Sequence, residues 1–202
     1  MRIGVAAITF LTLLLAGCGS SAPEPKKEEA PPEPVTGLHA LYQMYAASRA
    51  WAPDAQVYDL NSITLTDVKA QPGKAGAWQA KFVSPSLGQS RTYTFSVIEA
   101  SMTMHKGIQP AKAENWNGPS GNIKPFLIAA AKKDSDQAYE VALKKAAAYA
   151  AKNPNMNILY QLSQTSSYSN AAWRIIWGES AGSSVYSVLI DASTGEYVET
   201  LH

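Results

Sequence analysis

The chain has 202 residues, 46% of them hydrophobic and 16% charged, with 17 basic residues against 16 acidic ones. A balance so close to zero argues against a dedicated nucleic-acid binder or an electrostatic membrane-surface binder, both of which need a basic excess. A single cysteine excludes an intramolecular disulfide, so any fold must be held by its core.

Met1-Arg2 is a minimal basic start, and Ile3 to Leu15 is an apolar run broken only by Gly4, Thr9 and Thr12. The run is too short to span a bilayer and has the length of a signal-peptide core. It ends in Leu15-Ala16-Gly17-Cys18. That tetrad resembles the lipobox of bacterial lipoproteins. The resemblance implies removal of residues 1–17 as a signal peptide and lipidation of Cys18, which becomes the new N-terminus. Several acyl chains on one residue anchor stably, because each buried methylene contributes about 0.8 kcal/mol. Gly19 and Ser20 follow, with no Asp to retain the protein at an inner membrane, so the expected address is the cell envelope, at the outer membrane in a diderm organism. Without Arg2 the mature chain carries 16 basic and 16 acidic residues.

Residues 18–36 form the anchor and a Pro/Glu/Lys tether with almost no apolar content. Such a stretch cannot bury enough surface to fold, and its prolines favour an extended chain. Residues 37–202 are enough for one compact domain or two small lobes. Gly37 to Trp51 reads as a helix with Leu38, Leu41, Tyr45 and Ser48 on one stripe, stopped by Pro53. Strands are expected over 57–70, 78–84 and 92–100, with a turn at 71–76 and a loop at 85–90. Residues 106–124, rich in Asn and Gly, read as a connection.

The second half begins with Asp134 as an N-cap and Gln137 as its reciprocal partner. Tyr139, Leu143, Ala146 and Ala150 mark the helical stripe, and Asn153-Pro154 ends it. Strands are expected over 157–167, 172–178, 185–191 and 197–201. The turn Asp191-Ala192-Ser193-Thr194-Gly195-Glu196 pairs an Asp able to bond amides ahead of it with a glycine free to take positive φ. A strand running into D-A-x-T-G-E and a final strand is similar to the end of a PepSY-type domain. Asp191, Ala192, Thr194, Gly195 and Glu196 carry that resemblance, which covers roughly residues 134–202.

The two halves can be overlaid. Ala77-Trp78 falls on Ala172-Trp173, Tyr93-Thr94-Phe95 on Tyr186-Ser187-Val188, and Ile98-Glu99-Ala100-Ser101 on Ile190-Asp191-Ala192-Ser193. This predicts a tandem α-β-β-β arrangement of class α+β, with PepSY-like lobes at 37–124 and 125–202. In each lobe a helix packs on an antiparallel sheet. The first copy lacks the turn glycine, which leaves its last strand open, and the joint between the sheets is open too.

Little in the chain carries chemistry. His39, His105 and His202 stand in no metal-ligand spacing, and no phosphate-cradling glycine loop is present. Gly178-Glu179-Ser180-Ala181-Gly182 fits the letters of a nucleophile elbow. It lacks the following helix, and only Asp191 and His202 stand downstream as acid and histidine. Five tryptophans and ten tyrosines mostly read as core. Trp116, in the polar connection, is the residue expected to be exposed for partner binding. The expectation is of no enzyme activity, cofactor, metal or nucleic acid. The protein would be a lipid-anchored module binding an envelope protein. By the PepSY resemblance that partner is a secreted peptidase under restraint. A structural accessory that binds glycan or a membrane complex is the alternative, and a hydrolase built on Ser180 is a third.

Overall fold

A two-residue strand, β1 (Val35–Thr36), leads into helix α1 (Gly37–Trp51). The computed structural model describes residues 31–202; Cys18, the signal segment and most of the tether lie outside these residues. Leu38, Leu41, Met44 and Ser48 recur at three- and four-residue steps and are buried, so α1 lays one stripe on the sheet beneath it. Then follow β2 (Gln56–Ile63), β3 (Lys74–Ala75), β4 (Ala77–Ser84), β5 (Gln89–Ser96), β6 (Gly107–Pro110), β7 (Glu114–Asn115) and β8 (Ile123–Lys124). The second half runs α2 (Ser135–Lys145), α3 (Ala147–Lys152), β9 (Ile158–Thr165), β10 (Ala172–Trp177), β11 (Tyr186–Asp191) and β12 (Tyr197–Leu201).

The expected capping box is present: Asp134 caps α2 and the Gln137 side chain accepts from the Asp134 amide. The expected stripe holds in part. Ala146 is buried and Tyr139 packs partly buried against the core, but Leu143 is exposed, and the buried line is completed by Ala138 and Ala142. Small side chains let α2 lie close over β10 and β11, and the helix ends at Ala146, which also caps the start of α3.

Ten strands form one antiparallel sheet ordered β12-β11-β10-β9-β2-β4-β5-β6, with β7 added on β5 and β8 on β9, and β1 and β3 pair as a separate two-stranded ribbon. The joint is edge to edge, and short: Asp59, Leu60 and Asn61 of β2 face Ser163, Leu162 and Gln161 of β9. Residues 37–124 and 125–202 therefore share one sheet rather than building a sheet each, and a single hydrophobic cluster runs beneath both helices. In both halves a helical segment precedes four of the eight strands in that order, the short β7 and β8 being additions in the first half, and the strand left open in the first half is β6.

The overlay of the halves holds at the tryptophans and slips beyond them. Trp78 pairs with Phe95 and Trp173 with Ile190, so Phe95 corresponds to Ile190 and not to Val188. Ile98 lies past the end of β5, whereas Ile190 is inside β11. The reason is the connection. The β4–β5 turn spans residues 85–88, whereas the β10–β11 loop spans 178–185. The two tryptophans themselves meet in the core, ring centroids 6.3 Å apart and 71° inclined.

The N-termini of α1 and α2 are knotted together. One oxygen of Asp134 accepts from the amide of Ser135 in α2 and from the amide of Leu38 in α1. The Ser135 hydroxyl, fully buried, accepts from the Gly37 amide and donates to the Gly73 carbonyl. The Gly73 amide in turn donates to the Tyr160 hydroxyl at 2.9 Å. Amides at a helix start have no partner within the helix, so a shared cap satisfies donors of both helices at once.

Candidate binding face

Strand alternation sends Trp78, Ala80, Phe82, Leu162, Trp173, Ile175 and Trp177 into the cluster under the helices. Their neighbours point to the other face, where no helix lies among the described residues. There the register lines up Gln79, Asn61, Gln161 and Arg174 across β4, β2, β9 and β10, with Leu189 and Glu199 continuing the row on β11 and β12. This is a polar stripe crossing the centre of the sheet.

The stripe is wired by hydrogen bonds. Gln161 donates through Nε2 to Asn61 at 3.0 Å, and Asn61 donates through Nδ2 to Asp59 at 3.0 Å. Arg174 donates through Nε to Ser187 at 2.9 Å. Tyr168 donates to Glu199. Among the described residues, the ion pair found within 4 Å joins His105 and Glu99, far along the chain from this row. Asp59 and Arg174 are thus half-buried charges without a salt-bridge partner. Burial raises the Asp59 carboxyl above its ordinary range against the opposing pull of Lys81 and the bond from Asn61. Burial also lowers Arg174. Partly removing these groups from water costs stability, which their hydrogen bonds to Asn61 and Ser187 and the nearby Lys81 offset in part.

Beside Arg174 the face dips into a trough of about 260 Å³, lined by Gln161, Ser163, Thr165 and Tyr168 among others. The Thr165 hydroxyl oxygen is inaccessible and has no partner among the described residues. On β2 the Tyr58 hydroxyl donates to the Ser120 carbonyl and accepts from the Ser120 amide. Guanidinium and amide donors together with hydroxyls suit a polar chain that brings both acceptors and donors.

Asp59 predicts a pH dependence. A carboxyl whose pKa is raised on folding ionises first in the unfolded chain. Its contribution is complete below the ordinary carboxyl range and is lost as pH rises through the folded-state value. Asp59→Asn is therefore expected to be more stable than the parent at pH 7 and equal to it near pH 3. Urea unfolding of both proteins across that range checks the sign, and a variant less stable at pH 7 contradicts it.

The sequence-predicted residues are not gathered into one site. Trp116 is half-buried rather than presented. Its amide donates to Gly88, β7 adds to the edge of β5, and the indole nitrogen is inaccessible and without a partner among the described residues. A glycine-rich loop reads as free, but here it returns to the sheet. Ser180 shares its hydroxyl with Ser183, Asp191 accepts from the amides of Ser193 and Thr194, and His202 packs against the Tyr186 ring. The turn chemistry expected at Asp191 is as read, with Gly195 at φ +82°. His39 bonds Gln43 and His105 bonds Glu99. Among the described residues no three His, Cys, Asp or Glu side chains are grouped to hold a metal, and no helix is long and apolar enough to cross a membrane. Sequence reading missed the stripe because Asn61, Gln161 and Arg174 are far apart in the chain, and only strand register aligns them.

No family model matches the chain, and no curated protein matches it either. Among solved structures, the chain is similar to a candidate lipoprotein from Clostridium difficile 630, at 13% identity and a TM-score of 0.47, covering 86% of this chain and 95% of that one.

Proposed function

We propose that the protein is a lipid-anchored module of the bacterial cell envelope that binds another protein through the helix-free face of its sheet. The reading is non-enzymatic, and the two halves act as PepSY-like units joined at β2 and β9. Residues Leu15-Ala16-Gly17-Cys18 and the tether after them support the anchor, at the outer membrane in a diderm organism. The observation that carries the binding function is the stripe itself, where Arg174 and Asp59 are half-buried and hydrogen-bonded to Ser187 and Asn61 but have no salt-bridge partner among the described residues, at a cost in desolvation. Sites that sacrifice stability in this way are characteristic of binding surfaces. By the PepSY resemblance, the partner class is a secreted peptidase whose activity the module restrains. The hydroxyl and amide lining of the trough favours a glycan as the second reading.

Two measurements in intact cells test this. Cys18→Ala is expected to move the protein from the membrane fraction to the soluble fraction. A photo-crosslinker placed at Gln161 is expected to capture one defined envelope protein, and one at Tyr42, exposed on α1, is expected to capture none. Arg174→Ala should lower the Gln161 capture by at least about tenfold, the usual scale for truncating a buried charge contact. A Cys18→Ala protein that stays in the membrane overturns the anchor, and equal capture from both positions overturns the binding face.

A further inference from the structure

β2 and β9 pair over only three residues on each strand and splay apart at both ends. At one end the gap is filled from within the chain. Ile123 and Lys124 pair with Thr165 and Gln164 of β9, and Phe126 exchanges both backbone bonds with Val57 of β2, at 3.0 and 2.8 Å. An extended segment thus bonds both lips of the gap.

The opposite gap has the same lips and no such segment among the described residues. There the Tyr160 amide donates at 2.8 Å to the Ser62 hydroxyl, so Tyr160 turns its backbone toward β2 and away from β10. By strand alternation Ile158 does the same, and its amide and carbonyl face the gap without a strand partner. Unpaired strand edges recruit another strand. The gap holds a cleft of about 250 Å³ with Leu65, Val68, Met156 and Tyr139 in its lining. The charged side chains of the lining are Lys69 and Lys74, with no carboxylate among them; Glu179 lies nearby, holding the Asn157 amide.

We propose that this second gap is a peptide-binding notch that takes an extended, acidic segment of a partner protein as an added strand on β9. The added strand satisfies the backbone of Ile158, its alternate apolar side chains enter the lining, and its carboxylates meet Lys69 and Lys74. This is strand addition, in which backbone bonds give affinity and alternate side chains give selectivity. It names the partner's chemistry and rests on the binding-module reading.

The test uses the full-length protein in detergent, with a random peptide library displayed on phage as the probe. Selected peptides are expected to be acidic, to alternate apolar and polar residues, and to slow amide exchange at Ile158 by at least about tenfold. Ala70→Trp, at an exposed position lining the notch, should weaken binding by at least about tenfold, and so should Lys69→Glu combined with Lys74→Glu, whereas Met102→Ala, at an exposed turn away from the lining, should leave it unchanged. Failure to select any peptide, selection of basic peptides, or binding that leaves Ile158 exchange untouched overturns the notch. The two readings fail separately. If both notch variants still crosslink their partner through Gln161 in cells, the notch is wrong and the module stands. If the parent protein captures nothing, the module itself is wrong.

Discussion

Trp173→Ala is expected to cost about 3–5 kcal/mol of stability, the range for truncating a fully buried aromatic side chain. Trp173 is fully buried at the middle of the cluster and meets Trp78 edge to face. Its indole also donates at 2.8 Å to the Lys133 carbonyl, at the approach to α2, so truncation both opens a cavity and orphans a carbonyl. Around it the packing has no slack: a Cβ placed on Gly37 would lie 2.4 Å from the ring of Trp173. The cavity cannot collapse by moving α1 inward, because the start of α1 is held by Asp134 and Ser135. Urea unfolding measures the loss. Trp173→Phe keeps most of the volume and should cost clearly less, and equal losses from the two variants would contradict the cavity account.

Gly73→Ala should be nearly as damaging for a different reason. Gly73 has φ +71°, a conformation that costs other residues about 1–2 kcal/mol. A Cβ there would lie 2.1 Å from the Asp136 Cα, a backbone atom in the first turn of α2 that cannot rotate away. Overpacking of this sort adds about 1–3 kcal/mol. The displacement would also pull the Gly73 amide and carbonyl from Tyr160 and Ser135. Thermal unfolding of Gly73→Ala beside Gly121→Ala separates the causes. Gly121 has φ +63° and open space around it, so it reports the conformational cost alone. A Gly73→Ala loss no larger than that of Gly121→Ala would remove the clash from the account.

Local order was legible in the chain. Asp134 and Gln137 marked a helix start, Gly195 a turn and Pro53 a stop, because each acts through neighbours a few residues away. Trp173, Ile175 and Trp177 alternate along β10 and all enter the cluster, a period of two carried by neighbouring residues. The joint between the halves was not legible, since Leu60 facing Leu162 is a pairing across a hundred residues with no local signature. The stripe was hidden for the same reason. Trp116 misled because a Gly- and Asn-rich segment resembles a free loop whether or not its backbone finds a sheet edge. The Ala138–Ala142–Ala146 face of α2 was hidden by the larger residues beside it, although small residues are what close packing against a sheet requires.

The junction at the starts of the two helices has a kinetic consequence. Its bonds join residues 98 and 96 positions apart (Gly37 to Ser135, and Leu38 to Asp134), and 62 and 87 apart (Gly73 to Ser135, and to Tyr160). Loop-closure entropy for all of them must be met before any is rewarded, which places the chain among slow folders of high contact order. Until that closure the exposed edges of β2 and β9 are unpartnered together. The interval before β2 finds β9 is when edge-to-edge aggregation competes most strongly with folding.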